Sequence, residues 1–269
     1  MRVACVQLNT QEDKAASVAA ALELVNRLAA VGARLVVLPE TWTYKGRHAA
    51  LATEAEAIDG PSNTALAELA ARHGIYVLAG SIYERTATAG KYHNTSVLFG
   101  PGGERLAVYR KIHLFDAVTD AATYRESDDI VPGSEVVTAE IDGVTVGLTI
   151  CYDLRFPELY RALVLRGARL ILVPSAFTAL TGKAHWEVLL RARAIENAVF
   201  IVAPDQTGLH PPDRECYGRS MIVDPWGTVL AVASAGVGDC VAEVGLEAVD
   251  RVRRQLPALE HRRPETYGL

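Results

Sequence analysis

Apolar runs of strand length alternate with longer amphipathic stretches along most of this sequence, and this alternation limits the folds that it can adopt. Three pairs of predicted strands flank turn sequences at 100–103, 142–143 and 224–227 and are predicted to be hairpins. We therefore predict an α/β fold whose mixed β-sheets are covered by helices. The other strand patterns lie at residues 3–8, 34–39, 76–82, 170–173 and 200–203, and the main helical patterns lie at 12–31, from after 60–62 to 73, 157–166 and 186–197.

No internal repeat and no linker rich in serine, glycine or proline divides the chain. Its 269 residues include 50% hydrophobic and 22% charged side chains, a balance that suits a globular protein with a large core. We therefore expect a single domain over residues 1–269.

The charge balance and the length of the apolar runs argue against two classes of partner. With 27 Lys and Arg against 32 Asp and Glu, the net charge of −5 provides no basic surface for a nucleic acid. The apolar runs are far shorter than the ~20 residues of a membrane-spanning helix, and the amino-terminal residues begin a strand rather than an export signal. We expect a cytoplasmic protein that binds neither nucleic acid nor membrane.

The cysteines and the seven histidines are dispersed and form no metal-binding motif, so we expect neither a disulfide framework nor a metal or organic cofactor. Among the cysteines, Cys151 has a distinctive setting, between a strand pattern at 144–150 and a helix predicted to begin at Pro157. Backbone N–H groups exposed at such a junction favour a thiolate or an oxyanion. The alternative is a buried structural cysteine, which is common for this residue type.

Glu40 and Lys111 also directly follow predicted strands. Partial desolvation at the end of the apolar run 35–38 is expected to raise the pKa of Glu40 toward a value useful for a general base. Lys111 follows the strand pattern 104–109. Taken singly, each side chain has an ordinary solvated role as its alternative, and His113 is predicted to be a packed or capping residue.

These three residues suggest a function when they are considered together, because α/β sheets place their sites at the carboxyl ends of strands. A thiol, a carboxylate and an ammonium at that edge can perform acyl transfer without a metal. The lysine would favour the thiolate and stabilise the oxyanion. The glutamate would accept the thiol proton and pass it to the leaving amine.

The segments around these residues resemble the three signature segments of the nitrilase superfamily, the carbon–nitrogen hydrolases. They read VVLPET around Glu40, YRKIHLFD around Lys111 and GLTICYDLRFPE around Cys151, in the order and at the separations of that family. The resemblance extends from about Val3 to the carboxyl end. It implies a four-layer αββα sandwich with two mixed β-sheets, a homodimer, and a Glu–Lys–Cys triad that works through a covalent thioester.

The resemblance also implies supporting residues and a branch of the superfamily. Glu126 matches a second glutamate beside the triad, which we expect to orient Lys111 or the attacking group. The backbone N–H of Tyr152 is implied as an oxyanion donor. Downstream segments such as PSAF at 174–177 and YGRSM at 217–221 resemble the Nit branch, which holds deaminated glutathione amidases and omega-amidases, and their detail is more similar to the former.

Three further residues are predicted to contact the substrate. Arg155 lies one helical turn past the predicted nucleophile, where its guanidinium could bind a substrate carboxylate or, alternatively, pair with Glu158 or Asp153. Phe177 and Thr181 match positions that line the acyl pocket in this branch, and ordinary loop packing is the alternative for both.

The leaving-group side is less well defined by the sequence. The segment 206–217, which includes His210 and Arg214, could supply polar contacts to a leaving dipeptide. Asp205 departs from the uncharged residue expected at its position. Cys216 lies in a polar stretch, which leaves its exposure open.

We predict an amidase that hydrolyses a linear, non-peptide carbon–nitrogen bond of a small-molecule amide through a cysteine thioester. The favoured substrate is deaminated glutathione, which would yield 2-oxoglutarate and cysteinylglycine. The alternatives with the same triad are an omega-amidase acting on 2-oxoglutaramate and an N-carbamoyl amino-acid hydrolase, and nitrile hydrolysis is less well supported. An inactive scaffold or binding member of the same fold is the alternative outside the enzymes.

Overall fold

Two mixed β-sheets form the framework of the protein, which a computed structural model describes over residues 1–118 and 123–267. The strands are β1 (Arg2–Gln7), β2 (Leu35–Val37), β3 (Tyr76–Leu78), β4 (Ile82–Arg85), β5 (Tyr92–Phe99), β6 (Arg105–Arg110), β7 (Asp116–Val118), β8 (Thr123–Arg125), β9 (Thr138–Ile141), β10 (Val144–Leu148), β11 (Leu170–Leu172), β12 (Phe200–Ala203), β13 (Thr207–His210), β14 (Arg214–Tyr217), β15 (Met221–Val223), β16 (Val229–Val232) and β17 (Gly238–Glu243). The helices are α1 (Lys14–Ala30), α2 (Leu51–Glu54), α3 (Pro61–His73), α4 (Pro157–Leu165), α5 (Ala179–Asn197), α6 (Glu247–Gln255) and α7 (Pro264–Tyr267).

The first sheet has the strand order β17-β1-β2-β3-β5-β4, with β6 paired to β5, and the second has the order β16-β15-β12-β11-β10-β9. In each sheet three central strands are parallel, namely β1, β2 and β3 in one and β10, β11 and β12 in the other. The remaining strands pair in antiparallel fashion. This combination confirms the prediction of mixed sheets.

Alternate side chains of the first sheet belong to two different cores, because successive residues of a strand point to opposite faces. Leu35 and Val37 of β2 pack in the cluster that also holds Leu148 and Leu172 of the second sheet. Val36 of β2 packs in a separate cluster with the apolar residues of α1 and α3. The two sheets therefore face one another, and α1 and α3 cover the outer face of the first.

Helices α4 and α5 contribute Leu163 and Trp186 to the core of the second sheet. α4 lies directly on β10, where Gly147 leaves room for the side chain of Leu163. Together with α1 and α3, these helices complete the predicted αββα sandwich.

Several boundaries differ from the sequence prediction. The strand predicted at 76–82 is two strands, because Gly80 lies against the carbonyl oxygen of Pro39 with a φ of 41° that favours glycine. α5 begins at Ala179 instead of residue 186. The hairpin of β13 and β14 was not predicted. No helix in the described ranges is long and apolar enough to cross a membrane.

Candidate active site

Cys151 lies just after β10, at the start of the short 3₁₀ turn Cys151–Arg155 that leads into α4. Its φ of 45° is in the left-handed region that residues with a side chain rarely adopt. Its backbone N–H donates to the carbonyl oxygen of Pro174 at 2.9 Å. The predicted strand–turn–helix junction is therefore present, with a strained residue at the turn.

Glu40 follows β2 and is buried where the two sheets meet. Its Oε1 accepts hydrogen bonds from Lys111 Nζ at 2.9 Å and Asn94 Nδ2 at 2.8 Å. Its Oε2 accepts from the backbone N–H of Ala176 at 2.9 Å, and its own N–H donates to the carbonyl oxygen of Ser175. These contacts hold the Glu40 carboxylate between Lys111 and Asn94 on the side of the first sheet and the loop that follows β11 of the second sheet.

Lys111 directly follows β6 and lies between two carboxylates. Besides Glu40, its Nζ donates to Glu126 Oε1 and Oε2 at 3.0 and 2.8 Å. Glu126 also accepts from Asn94 Nδ2 at 3.1 Å and from the backbone N–H of Phe115 at 2.6 Å. Lys111, Glu40 and Glu126 thus form one hydrogen-bonded group, and Cys151 lines the same cavity as all three.

The ionisation of the group follows from burial and from its charges. Burial alone would raise the pKa of Glu40, but the charges of Lys111 and Lys45 hold it below its usual range. Burial alone would lower the pKa of Lys111, but Glu126 and Glu40 raise it well above its usual value. Burial and the charge of Glu40 raise the pKa of the Cys151 thiol, against the opposing effect of Lys111.

The resting group is therefore a thiol, a carboxylate and an ammonium at neutral pH. The expectation that desolvation would raise the pKa of Glu40 is wrong, because two lysines outweigh the effect of burial. Lys111 alone also does not make Cys151 a resting thiolate, since burial outweighs its charge. A carboxylate beside a neutral thiol remains suited to accept the thiol proton.

Asp153 joins the turn that carries Cys151 to the segment that carries Lys111. It is fully buried, and it accepts hydrogen bonds from the backbone N–H of Ile150 at 2.8 Å and the hydroxyl of Tyr109 at 2.7 Å. It also contacts His113 Nδ1 at 2.7 Å, and the His113 ring stacks on Phe156 at 3.6 Å. His113 is thus a packed residue, as predicted from its neighbours.

A small recess of about 20 Å³ adjoins Cys151 and contains the predicted substrate contacts. The Arg155 guanidinium lies over the rings of Phe177 and Tyr152 and contacts His185 Nδ1 at 3.3 Å. Within the described part of the chain it makes no ion pair with Glu158 or Asp153. The residues that line the recess are Phe115, Cys151, Tyr152, Arg155, Ala176, Phe177, Thr178 and Thr181.

A larger cavity of about 370 Å³ is lined by Cys151 together with Glu40, Lys111 and Glu126. Arg214 lines it and lies over the ring of Tyr124. Cys216 also lines it and is buried, which raises the pKa of its thiol to about 12. The sequence left the exposure of Cys216 open, and the structure shows that its side chain is buried.

Two residues predicted near the leaving group have other roles. His210 does not line the cavity, because its Nδ1 contacts the carbonyl oxygen of Thr10 inside the protein at 2.7 Å. Burial and the charge of Lys45 lower the pKa of His210 to about 3. Asp205 is fully buried, and its Oδ1 accepts from the backbone N–H of Phe177 at 2.7 Å. It therefore supports the wall of the recess from behind.

The sequence analysis missed Asn94 and Lys45. Asn94 lies within β5 and donates to both Glu40 and Glu126. Its neighbours His93, Thr95 and Ser96 are also polar, so nothing local in the sequence distinguishes it. Lys45 lies in an irregular segment, and nothing in its sequence neighbourhood marks it. Among the described residues no group of three or more His, Cys, Asp or Glu side chains could hold a metal ion.

Comparison with known proteins agrees with this geometry. The family model for carbon-nitrogen hydrolases matches residues 2–254. The chain belongs to the carbon-nitrogen hydrolase family. Among its relatives within that family, a deaminated glutathione amidase from Synechocystis sp. is 42% identical over 264 residues, which cover 96% of this chain and 97% of the relative. The human omega-amidase NIT2 is 37% identical, with 100% of this chain and 97% of the relative covered.

The fold of this carbon-nitrogen hydrolase also has a close match among solved structures. Nit3 of Saccharomyces cerevisiae, a member of branch 10 of the nitrilase superfamily, superposes with a TM-score of 0.89 at 31% identity, and the match covers 98% of this chain and 96% of Nit3. The family resemblance inferred from the three motifs, its Nit branch and the nitrilase-like sandwich are thus confirmed.

Proposed function

We propose that this carbon-nitrogen hydrolase is an amidase that cleaves deaminated glutathione to 2-oxoglutarate and cysteinylglycine, with Cys151 as its nucleophile. The observation that carries the proposal is the convergence of a strained cysteine, a buried carboxylate and a buried ammonium on one cavity. The 42% identity to a deaminated glutathione amidase over nearly the whole chain supports the choice of substrate.

In the proposed reaction, Glu40 accepts the thiol proton as the sulfur of Cys151 attacks the amide carbonyl. The resulting oxyanion is stabilised by the Lys111 ammonium and the backbone N–H of Tyr152. Collapse of the tetrahedral intermediate breaks the carbon–nitrogen bond, and Glu40 returns the proton to the leaving amine. Water activated by Glu40 then hydrolyses the thioester and releases the acid.

Glu126 acts in this scheme as a positioning residue for Lys111. It makes two hydrogen bonds to the ammonium and is itself held by Asn94 and a backbone N–H. An ammonium between two carboxylates has little freedom to rotate away from the cavity. Such fixed orientation is what an electrostatic contribution to catalysis requires.

We propose that the recess, which at about 20 Å³ is too small for the whole acyl half of the substrate, receives the terminal carboxylate of that half. Arg155 has no acidic partner among the described residues and can bind this carboxylate of a 2-oxoglutaryl group beside Phe177 and Thr181. The larger cavity has room for a departing dipeptide. An omega-amidase releases ammonia and needs no such space, but the 37% identity to the human omega-amidase keeps that activity as the second candidate.

The direct test is a comparison of kcat/KM for deaminated glutathione and 2-oxoglutaramate under identical conditions. We expect the larger substrate to be preferred by at least an order of magnitude. A preference for 2-oxoglutaramate would make the protein an omega-amidase and leave the cysteine mechanism intact. The absence of turnover with any linear amide or N-carbamoyl amino acid would favour an inactive scaffold instead.

We also propose that the whole chain acts as one domain and forms a homodimer in the cytoplasm. Leu180, Val188 and Ile195 are exposed along one face of α5, at spacings that place them together, and such an apolar stripe favours association. All four cysteines are free, which suits a reducing compartment. Light scattering after size exclusion should give twice the mass of 29.0 kDa, and a monomer would contradict the proposed dimer.

A further inference from the structure

Lys45 is a half-buried lysine that lines the larger cavity together with Glu40, Cys151 and Cys216. Its backbone N–H donates to the carbonyl oxygen of Gln11. Its ammonium, in contrast, has neither an ion pair nor a hydrogen bond with any residue in the described ranges. In the catalytic group, by contrast, the Lys111 ammonium lies between the carboxylates of Glu40 and Glu126.

The acidic groups near Lys45 do not neutralise it. Glu40 is already paired with Lys111. Asp205 is buried so fully that its pKa lies well above the usual range, and its Oδ2 has no hydrogen-bond partner. Burial would lower the pKa of Lys45, but Cys216, Tyr83 and Glu40 raise it, so the ammonium stays charged. A desolvated cation without an anion is unfavourable until an anion binds.

Besides Lys111, three further basic side chains that line this cavity are placed differently. Arg214 lies over the ring of Tyr124, and Arg125 is exposed. His48 is paired with Asp129. Lys45 is therefore the half-buried cation of the larger cavity that has neither an acidic nor an aromatic partner among the described residues, whereas Arg155 in the recess lacks an acidic partner but lies over two aromatic rings.

We infer that Lys45 is a specificity-determining residue that binds the carboxylate of the leaving amine. The inference rests on the proposed function, since deaminated glutathione carries one carboxylate on each side of the scissile amide. Arg155 lines only the recess and Lys45 lines only the larger cavity. The two cations thus match the two carboxylates, and 2-oxoglutaramate, which releases ammonia, can use only one of them.

The test is the ratio of kcat/KM for deaminated glutathione to kcat/KM for 2-oxoglutaramate in wild type, Lys45→Met and Lys45→Arg. A lost charge-assisted contact should lower this ratio by about 10- to 100-fold in Lys45→Met. Lys45→Arg should retain most of the ratio because it retains the charge. Lys183→Met, which removes an exposed lysine of α5, is the matched control and should leave the ratio unchanged.

An equal loss for both substrates would overturn the inference, because it would mean that Lys45 acts through Glu40 and Cys151 or on the acyl half. A fall of the ratio in Arg214→Met but not in Lys45→Met would also overturn it. As a second readout, replacing the glycine carboxylate of deaminated glutathione with a carboxamide should lower the kcat/KM of the wild type by the same factor. The carboxamide should have little further effect on Lys45→Met.

Calorimetric binding of cysteinylglycine to wild type and Lys45→Met separates this inference from the proposed function, because it needs no turnover. Wild type should bind the dipeptide at least about 10-fold more tightly than the variant. Equal or undetectable binding to both proteins would contradict a role for Lys45 even if deaminated glutathione is hydrolysed. Failure of the wild type to hydrolyse deaminated glutathione would contradict the proposed function alone.

Discussion

The two cavities that meet at Cys151 differ in size, lining and charge. The recess has a volume of about 20 Å³ and is walled by aromatic rings around the Arg155 guanidinium. The larger cavity has a volume of about 370 Å³ and is lined by polar and charged side chains, with Lys45 near the nucleophile. A tight aromatic recess restricts the groups that can enter it, whereas a roomy polar cavity accepts leaving groups of several sizes.

This difference suggests how related amidases can share an acyl group and still differ in substrate. Apart from Phe115, the residues of the recess lie in the turn that begins at Cys151 or in the segment 176–181 that follows β11. The lining of the larger cavity comes from separate segments, including the one around Lys45 and the β13–β14 hairpin. Changes in those segments can alter the leaving group while the nucleophile and the recess are kept.

Removal of the proposed nucleophile, which lines both cavities, should have the largest effect. Cys151→Ala should reduce the hydrolysis of both substrates by on the order of 10⁴-fold or more, because it removes the sulfur that is proposed to form the thioester. Steady-state assays with purified protein measure the loss. Cys240→Ala removes a buried thiol that lines neither cavity and serves as the control. Substantial turnover by Cys151→Ala would contradict covalent catalysis at this residue.

Lys111→Met should lower kcat for both substrates by about 10²- to 10³-fold, since it removes a donor to the oxyanion. It should also change the pH profile. Lys111 holds the pKa of Glu40 below its usual range, so the acid limb of kcat/KM should move to higher pH in the variant. A loss of rate without this movement would indicate a structural role only.

Arg155→Met should lower kcat/KM for deaminated glutathione and 2-oxoglutaramate by the same factor, about 10- to 100-fold, because both carry the same acyl carboxylate. The equality is the important result, since it contrasts with the selective loss expected for Lys45→Met. The measurement is kcat/KM of Arg155→Met and Lys45→Met with each of the two substrates. A selective effect of Arg155→Met on the larger substrate would reverse the assignment of the two cavities.

His210, behind the larger cavity, should affect stability more than catalysis. Burial and the charge of Lys45 lower its folded-state pKa to about 3 from the usual value of 6.5, so the unfolded state binds a proton as the pH falls below 6.5 and the folded state does not. This residue therefore lowers the free energy of unfolding by about 1.4 kcal/mol for each pH unit below that value.

Urea unfolding of wild type and His210→Gln at several pH values above 4 tests this effect. The variant should lose stability less steeply as the pH falls from neutrality. His261→Gln changes an exposed histidine and should follow the wild-type slope. Identical slopes for wild type and His210→Gln would contradict the buried, neutral state of His210.

The convergence of Glu40, Lys111 and Cys151 on one cavity could be predicted because each of them follows the carboxyl end of a strand, which is a local feature. Glu40, Lys111 and Cys151 meet where the two sheets face one another, and the topology of the sheets brings these strand ends together.

Other parts of the site depend on contacts between distant segments and could not be predicted locally. Asn94 acts through carboxylates that come from two other parts of the chain. The pKa shift of Glu40 was predicted in the wrong direction because the direction of the shift depends on Lys45 and Lys111 together. The β13–β14 hairpin was missed because most of its strand residues are polar or glycine, so the strands have no apolar pattern.

The most direct test of the whole account is to trap the acyl-enzyme. Rapid acid quenching of the protein with deaminated glutathione, followed by peptide mass spectrometry, should find a 2-oxoglutaryl group on the peptide that contains Cys151 and on no other cysteine. In Glu40→Gln the adduct should form more slowly, because Glu40 accepts the thiol proton when Cys151 attacks. Turnover without any adduct under these conditions, or an adduct on Cys216 instead, would contradict the proposed mechanism.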